Sequence, residues 1–192
     1  MPSEIPSITF GTFFHIYNRG NNGENIFIQK RNYTYFMELW WKHTSKIFET
    51  WAYCCMRNHF HVAGYVKDKA DLTGLNLKDP SQYLSNFFNA YARGVNIAAQ
   101  RTGALFERPF KRIPIPGEAY LMRLIIYIHQ NPQKHGFETD FRDWKYSSYH
   151  DLASNVPTRL QREKVWNLFG SCEDFIRIHE EIQPVSGFED YE

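Results

Sequence analysis

The sequence predicts an α+β domain built on an antiparallel sheet, and three observations carry that prediction. Two apolar, β-rich runs, residues 47–56 and 59–66, flank a two-residue turn at Arg57-Asn58, the pattern of a hairpin. Apolar side chains recur at helical spacing in three other stretches. Strand and helix patterns follow one another as β, α, β, β, α, β, α. That order contains the split β-α-β-β-α-β arrangement, a ferredoxin-like antiparallel sheet with helices on one face, here followed by a C-terminal helix.

Taken in order, residues 9–17 (TFGTFFHIY) form a strand that enters turn chemistry at Asn18-Arg19-Gly20-Asn21-Asn22-Gly23. Tyr33, Phe36, Met37, Trp40 and Trp41 then line one face of a helix over 29–44. After the hairpin, 67–80 is a charged surface excursion. Ser81 is placed to cap a helix bearing Tyr83, Leu84, Phe87, Phe88 and Tyr91. Residues 105–115 read as an edge strand, because Pro109 and Pro114 cannot donate to a central ladder. A last strong helix covers 117–131, ending where Pro132 disfavours the α conformation of the residue before it.

The length supports one compact core, with residues 1–132 as the principal domain and 133–192 as an irregular extension packed on it. No apolar run approaches the roughly 20 residues of a membrane span, and no leader pattern opens the chain, so the expected location is cytoplasmic. Cys54, Cys55 and Cys172 are odd in number and two are adjacent, which argues for buried thiols over a disulfide or metal clip. The net charge of +1 hides an asymmetry. Of the 22 Lys/Arg and 21 Asp/Glu, residues 151–192 hold 4 and 9, leaving 18 and 12 on residues 1–150, a net +6. A basic body with an acidic tail fits a polyanionic partner.

Alternation along a strand puts His59 and His61 on one face and Phe60 and Val62 on the other. Two imidazoles on one rigid strand converge on a shared point, which suits a divalent metal, although two donors do not complete a site. His15 reads as a core or sheet neighbour. On the last helix, Leu121, Leu124, Ile125 and Ile128 form the apolar stripe, and Tyr127 lies about 100° from its centre beside Arg123 and Asn131. Such a flank is neither core nor fully solvent-facing. No Gly-rich phosphate loop or second metal cluster is present to favour a small-phosphate hydrolase.

Five ordered segments give these residues a context: Tyr17-Asn18-Arg19-Gly20-Asn21, Met56-Arg57-Asn58-His59-Phe60-His61, Gly103-Ala104-Leu105-Phe106-Glu107-Arg108-Pro109-Phe110-Lys111, Tyr127-Ile128-His129-Gln130-Asn131-Pro132 and Trp144-Lys145-Tyr146-Ser147-Ser148-Tyr149. Over about residues 8–150 the chain resembles the single-tyrosine HUH transposases, and most of all the REP-associated tyrosine transposase branch. The resemblance implies an enzyme that cuts and rejoins single-stranded or hairpin DNA through a 5′-phosphotyrosine, with Mg²⁺ or Mn²⁺ as the ion. It implies His59 and His61 as metal ligands, Tyr127 as nucleophile and Asn131 as third ligand, with Gln130 as the alternative. A DNA- or RNA-binding regulator that keeps the fold without the catalysis is the rival reading. Arg19, Arg57, Arg108, Lys111, Arg112 and Arg123, in or beside these segments, are the expected DNA contacts. Relatives include monomers and homodimers that share active sites, so a homodimer belongs to the expectation.

Overall fold

The computed structural model describes residues 6–74, 76–182 and 188. Four strands, β1 (Thr12–Arg19), β2 (Phe48–Cys55), β3 (His59–Val66) and β4 (Lys111–Pro114), form one antiparallel sheet in the order β2-β3-β1-β4. This is the order of the ferredoxin-like arrangement. The hairpin closes at Arg57-Asn58 as the pattern predicts. β1 runs two residues further than expected, because Asn18 and Arg19 pair with Phe60 and His59 before the chain turns.

The 105–115 strand is a correction, since only Lys111–Pro114 joins the sheet. Residues 105–110 are irregular, held to the end of β1 by an isolated bridge from Gly20 to Phe106 and by hydrogen bonds from Glu107 N to Arg19 O and from Asn18 Nδ2 to Glu107 O, both 3.0 Å.

The two helices of the core unit, α1 (Lys30–Thr44) and α2 (Pro80–Ala98), pack on one sheet face. α1 starts with a reciprocal cap in which the Gln29 amide N–H donates to Asn32 Oδ1 at 2.7 Å. For α2 the cap is Asp79 and not Ser81: its carboxylate accepts from Ser81 N at 2.8 Å, and Pro80 takes the first helical position, where no N–H is needed. The face beneath is aromatic. Phe60 meets Phe36 at 4.9 Å between ring centroids, Phe36 meets Phe87 at 4.8 Å, and Trp40 donates its indole N–H to Thr50 Oγ1 at 2.9 Å.

The additional helix, α3 (Glu118–Lys134), lies across the opposite face against β2 and β3. It runs through Pro132 for two more residues. Proline is tolerated there because the final turn has few carbonyls left to satisfy. From Leu124 to Pro132 every residue of α3 is buried, so the helix has no wet flank. The C-terminal part of the chain covers it. Residues beyond 133 are not irregular, a second correction, but contain α4 (Tyr149–Leu152), α5 (Arg162–Phe169) and α6 (Cys172–Glu181). Residues 144–148 bond along the free edge of β2: Cys55 N donates to Tyr146 O at 2.9 Å, Ser148 N to Tyr53 O at 2.9 Å, and the Trp144 indole to Cys55 O at 3.0 Å. An edge strand that would otherwise offer unpaired groups is thereby covered. Trp144 and Tyr149 are packing residues, and Cys54 and Cys55 are buried thiols.

Candidate active site

Register decides which side chains meet on the α3 face. Arg19 stands opposite His59 and Tyr17 opposite His61, so β1 and β3 present two imidazoles, a phenol and a guanidinium side by side. The His59 and His61 rings stand 5.3 Å apart and almost perpendicular. Each uses its Nδ1 on a neighbour. His59 Nδ1 lies 2.8 Å from Asn58 Oδ1, an acceptor, so this nitrogen carries the hydrogen. His61 Nδ1 lies 2.9 Å from His15 Nε2. The two Nε2 atoms are buried and have no hydrogen-bond partner among the described residues.

Burial keeps these rings neutral. It holds His15 down to about 3; with added repulsion from His135 and Arg19 it holds His59 to about 3. His61 is pushed well below the ordinary value by burial first, then by His15, His59, His135 and Lys134. A neutral imidazole keeps a lone pair on the nitrogen that bears no hydrogen. His59 Nε2 is such a nitrogen, and His61 Nε2 is another when His61 Nδ1 donates to His15; lone pairs buried there without a donor among the described residues fit a bound cation.

α3 supplies the other side of the site through residues one turn apart. Tyr127 meets His61 at 5.6 Å, edge to face, and His135 meets His59 at 4.9 Å. Asn131 lies between them on the same stripe, donating its amide N–H to Tyr127 O at 2.9 Å, while its Oδ1 is buried without a hydrogen-bond partner among the described residues. The carbonyl oxygen of Asn131 thus keeps its lone pairs open among the described residues. Gln130 points elsewhere: its amide donates to Ile182 O at 2.9 Å, beside α6, which places it away from the imidazoles and corrects its expected candidacy as a ligand. Among the described residues no group of three or more His, Cys, Asp or Glu is arranged to hold a metal. Two imidazoles and an amide oxygen would leave the remaining positions to substrate or solvent oxygens.

Tyr127 also departs from the sequence reading, with 1% of its surface exposed. Phe188 from the C-terminal segment stacks on its ring at 4.9 Å, and the Lys134 ammonium lies 5.2 Å from the ring centroid. The helical flank expected to face a ligand is covered by chain that a single-helix projection does not include.

The six cations expected to contact DNA fall into three places. Arg19 and Lys111 border the histidine pocket, both paired with Glu107, at 3.2 and 3.6 Å; exposed Arg57 lies next to it over Phe137. Arg108 and Arg112 line a separate cleft. Arg123 lies over Phe188, at the tail contact. Residues not assigned from sequence are Asn58, His135 and Lys134, with His15 now tied to His61. His135 comes after Tyr127 and Asn131 at helical spacing and was hidden only because the helix was ended at Pro132.

A second histidine group lies on the far side of α3. His129 Nδ1 is 2.9 Å from His179 Nε2, His129 Nε2 is 2.7 Å from Ser148 Oγ, and His179 Nδ1 donates to Phe175 O at 2.7 Å. That last bond fixes the chain of donors, and all four ring nitrogens are engaged. The group ties α3 to α6 and to the segment covering β2.

No family model matches the chain. A curated protein from Haemophilus influenzae, described as a putative REP-associated tyrosine transposase, is 28% identical over 112 residues, 57% of this chain and 64% of the relative's length. A solved structure of a REP-associated tyrosine transposase bound to a REP hairpin matches with a TM-score of 0.62, covering 83% of this chain and 89% of that one at 19% identity. At that identity the structural likeness speaks for the fold. The curated relative's description names the same branch that the sequence motifs resemble.

Proposed function

We propose that this protein is a metal-dependent DNA nicking and joining enzyme that stores the cut phosphodiester as a 5′-phosphotyrosine on Tyr127. The observation that carries the reading is the pair of buried, unpartnered Nε2 atoms on His59 and His61, next to the ring of Tyr127. Hairpin DNA is the proposed substrate, in line with the REP hairpin bound by the solved relative.

In the proposed reaction, Tyr127 Oη loses its proton and bonds to phosphorus as the P–O3′ bond breaks. This leaves a 5′-phosphotyrosine and a 3′-hydroxyl, and attack by a 3′-hydroxyl reverses the step and restores the phenol. Mg²⁺ or Mn²⁺ held by His59 Nε2, His61 Nε2 and Asn131 Oδ1 would offset the charge that builds on the phosphate oxygens. Lys134 brings positive charge beside the developing phenolate. His15 and Asn58 hold the two imidazoles by their Nδ1 atoms. Arg19, Lys111 and Arg57 line the approach of the DNA backbone.

The burial of Tyr127 favours a second reading, a DNA- or RNA-binding regulator without catalysis. One experiment separates the two. The protein is incubated with Mn²⁺ and single-stranded hairpin DNA, and the products are resolved under denaturing conditions. Nicking and joining predicts a covalent protein–DNA adduct that is lost in Tyr127→Phe. Stacked rings of this kind contribute about 0.5–1.5 kcal/mol, so Phe188→Ala should raise the rate of adduct formation by up to about tenfold. No adduct in either the wild type or Phe188→Ala leaves the regulator.

A further inference from the structure

A cleft of about 590 Å³ opens between α2 and residues 105–112, on the face of the sheet opposite the histidines. Its volume falls in the roughly 300–1,000 Å³ range of small-ligand sites. Asn18 borders both this cleft and the histidine pocket, so the end of β1 is the divide between them. Side chains alternate across that strand. Tyr17 and Arg19 face the imidazoles, and Asn18 faces the cleft.

The lining combines three kinds of group. The floor is apolar and buried, made by Phe88, Leu105 and Phe106. Beside it is a layered stack in which Phe110 lies 4.9 Å from Phe88 and the Arg112 guanidinium lies 4.8 Å from Phe110. Along α2, half-buried Ser85 and exposed Asn89 are one turn apart and line the opening, and neither side chain is hydrogen-bonded to another described residue. At the mouth, the exposed guanidinium of Arg108 makes no ion pair or hydrogen bond with a described residue.

An apolar floor, a primary amide and a hydroxyl at the rim, and an unpaired guanidinium outside are the complements of a nucleotide. The floor takes a base's flat face, the amide reads its edge, and the cation meets the attached phosphate. A bare phosphate would have no use for the aromatic floor. A purely apolar ligand would leave Arg108 and the Asn89 amide without a role.

We propose that this cleft selects one unpaired DNA base near the scissile phosphate, with Asn89 and Ser85 reading the base edge and Arg108 holding its phosphate. The inference rests on the nicking and joining reading and adds the source of its sequence choice. A strand crossing the end of β1 would present its backbone to the histidine side and one base to the other.

The test is a binding selection on the full chain, using hairpin DNA with randomised single-stranded flanks and sequencing of the bound pool. The wild type is expected to enrich one base by about tenfold at one flank position. Asn89→Ala, an exposed substitution, should flatten that position alone, Ser85→Ala should weaken the preference there, and Arg108→Ala should lower binding of all sequences alike. Profiles in Asn89→Ala and Ser85→Ala that match the wild type at every position, or a wild type with no preference, would overturn the proposal. Binding needs no turnover, so the selection is repeated with Tyr127→Phe. A flat profile from a protein that forms the adduct removes the base site only, and base selection by a protein that forms no adduct removes the phosphotyrosine reading only.

Discussion

Two groups of histidines meet α3, and they differ in what their ring nitrogens do. In the group formed by His129, His179 and Ser148, every ring nitrogen has a protein partner, and two of the three bonds join one element to another. In the group on β3, the Nδ1 atoms of His59 and His61 are held and both Nε2 atoms are buried without one among the described residues. A buried polar atom with no partner costs about 1–3 kcal/mol. The first group therefore stabilises the fold by itself, while the second becomes favourable only when something else supplies the missing bond. Their common burial teaches little. The difference lies in the unfilled valence.

Four measurements sharpen or break that contrast. His179→Ala strips His129 Nδ1 of its partner and opens a cavity, so it should cost about 3 kcal/mol in urea unfolding and leave the response to metal intact. Next in size, Mn²⁺ at about a hundred times its Kd should stabilise the wild type by about 2.7 kcal/mol, and His61→Ala should show none of this. An equal thermal shift in His61→Ala would place the ion elsewhere.

The third measurement concerns His15, whose Nε2 lies 2.9 Å from His61 Nδ1. His15→Leu should weaken Mn²⁺ binding, measured by calorimetry, by about 10- to 100-fold, and an unchanged affinity would reduce His15 to packing. The fourth measurement is made in acid. Burial holds His179 down to about 4 and His129 well below its ordinary value, against about 6.5 in the unfolded chain. The unfolded state therefore takes up protons first. The stability from this group is fully present above pH 6.5 and is lost as pH falls from there toward 4, by at most about 1.4 kcal/mol per pH unit for each histidine. His129→Leu/His179→Leu should make the pH dependence of the urea midpoint shallower.

Legibility in the sequence depended on how local each signal was. The hairpin and the His59/His61 pair were readable because strand alternation is a two-residue rule that tertiary packing does not alter. The ferredoxin-like order came from element succession. Pro132 misled, because a proline near a helix end is compatible with one more turn, and that turn carries Lys134 and His135. The short helices after residue 148 lack a long apolar stripe and are held by contacts to α3 and β2. Phe188 on Tyr127 has no local signature at all, being a meeting of distant parts of the chain. The resemblance put Asn131 first and Gln130 as the alternative, and on α3 the Gln130 amide bonds to Ile182 O while the Asn131 amide bonds to Tyr127 O.

His61 and Tyr127 touch within one polypeptide, 5.6 Å between rings. Under the proposed nicking reaction, one chain then carries both halves of the site. Mixing His61→Ala with Tyr127→Phe should then give no rescue of adduct formation, since neither subunit can lend the other its missing half. Adduct formed by the wild type should also rise in simple proportion to protein concentration, without the lag or curvature of an enzyme that must first pair.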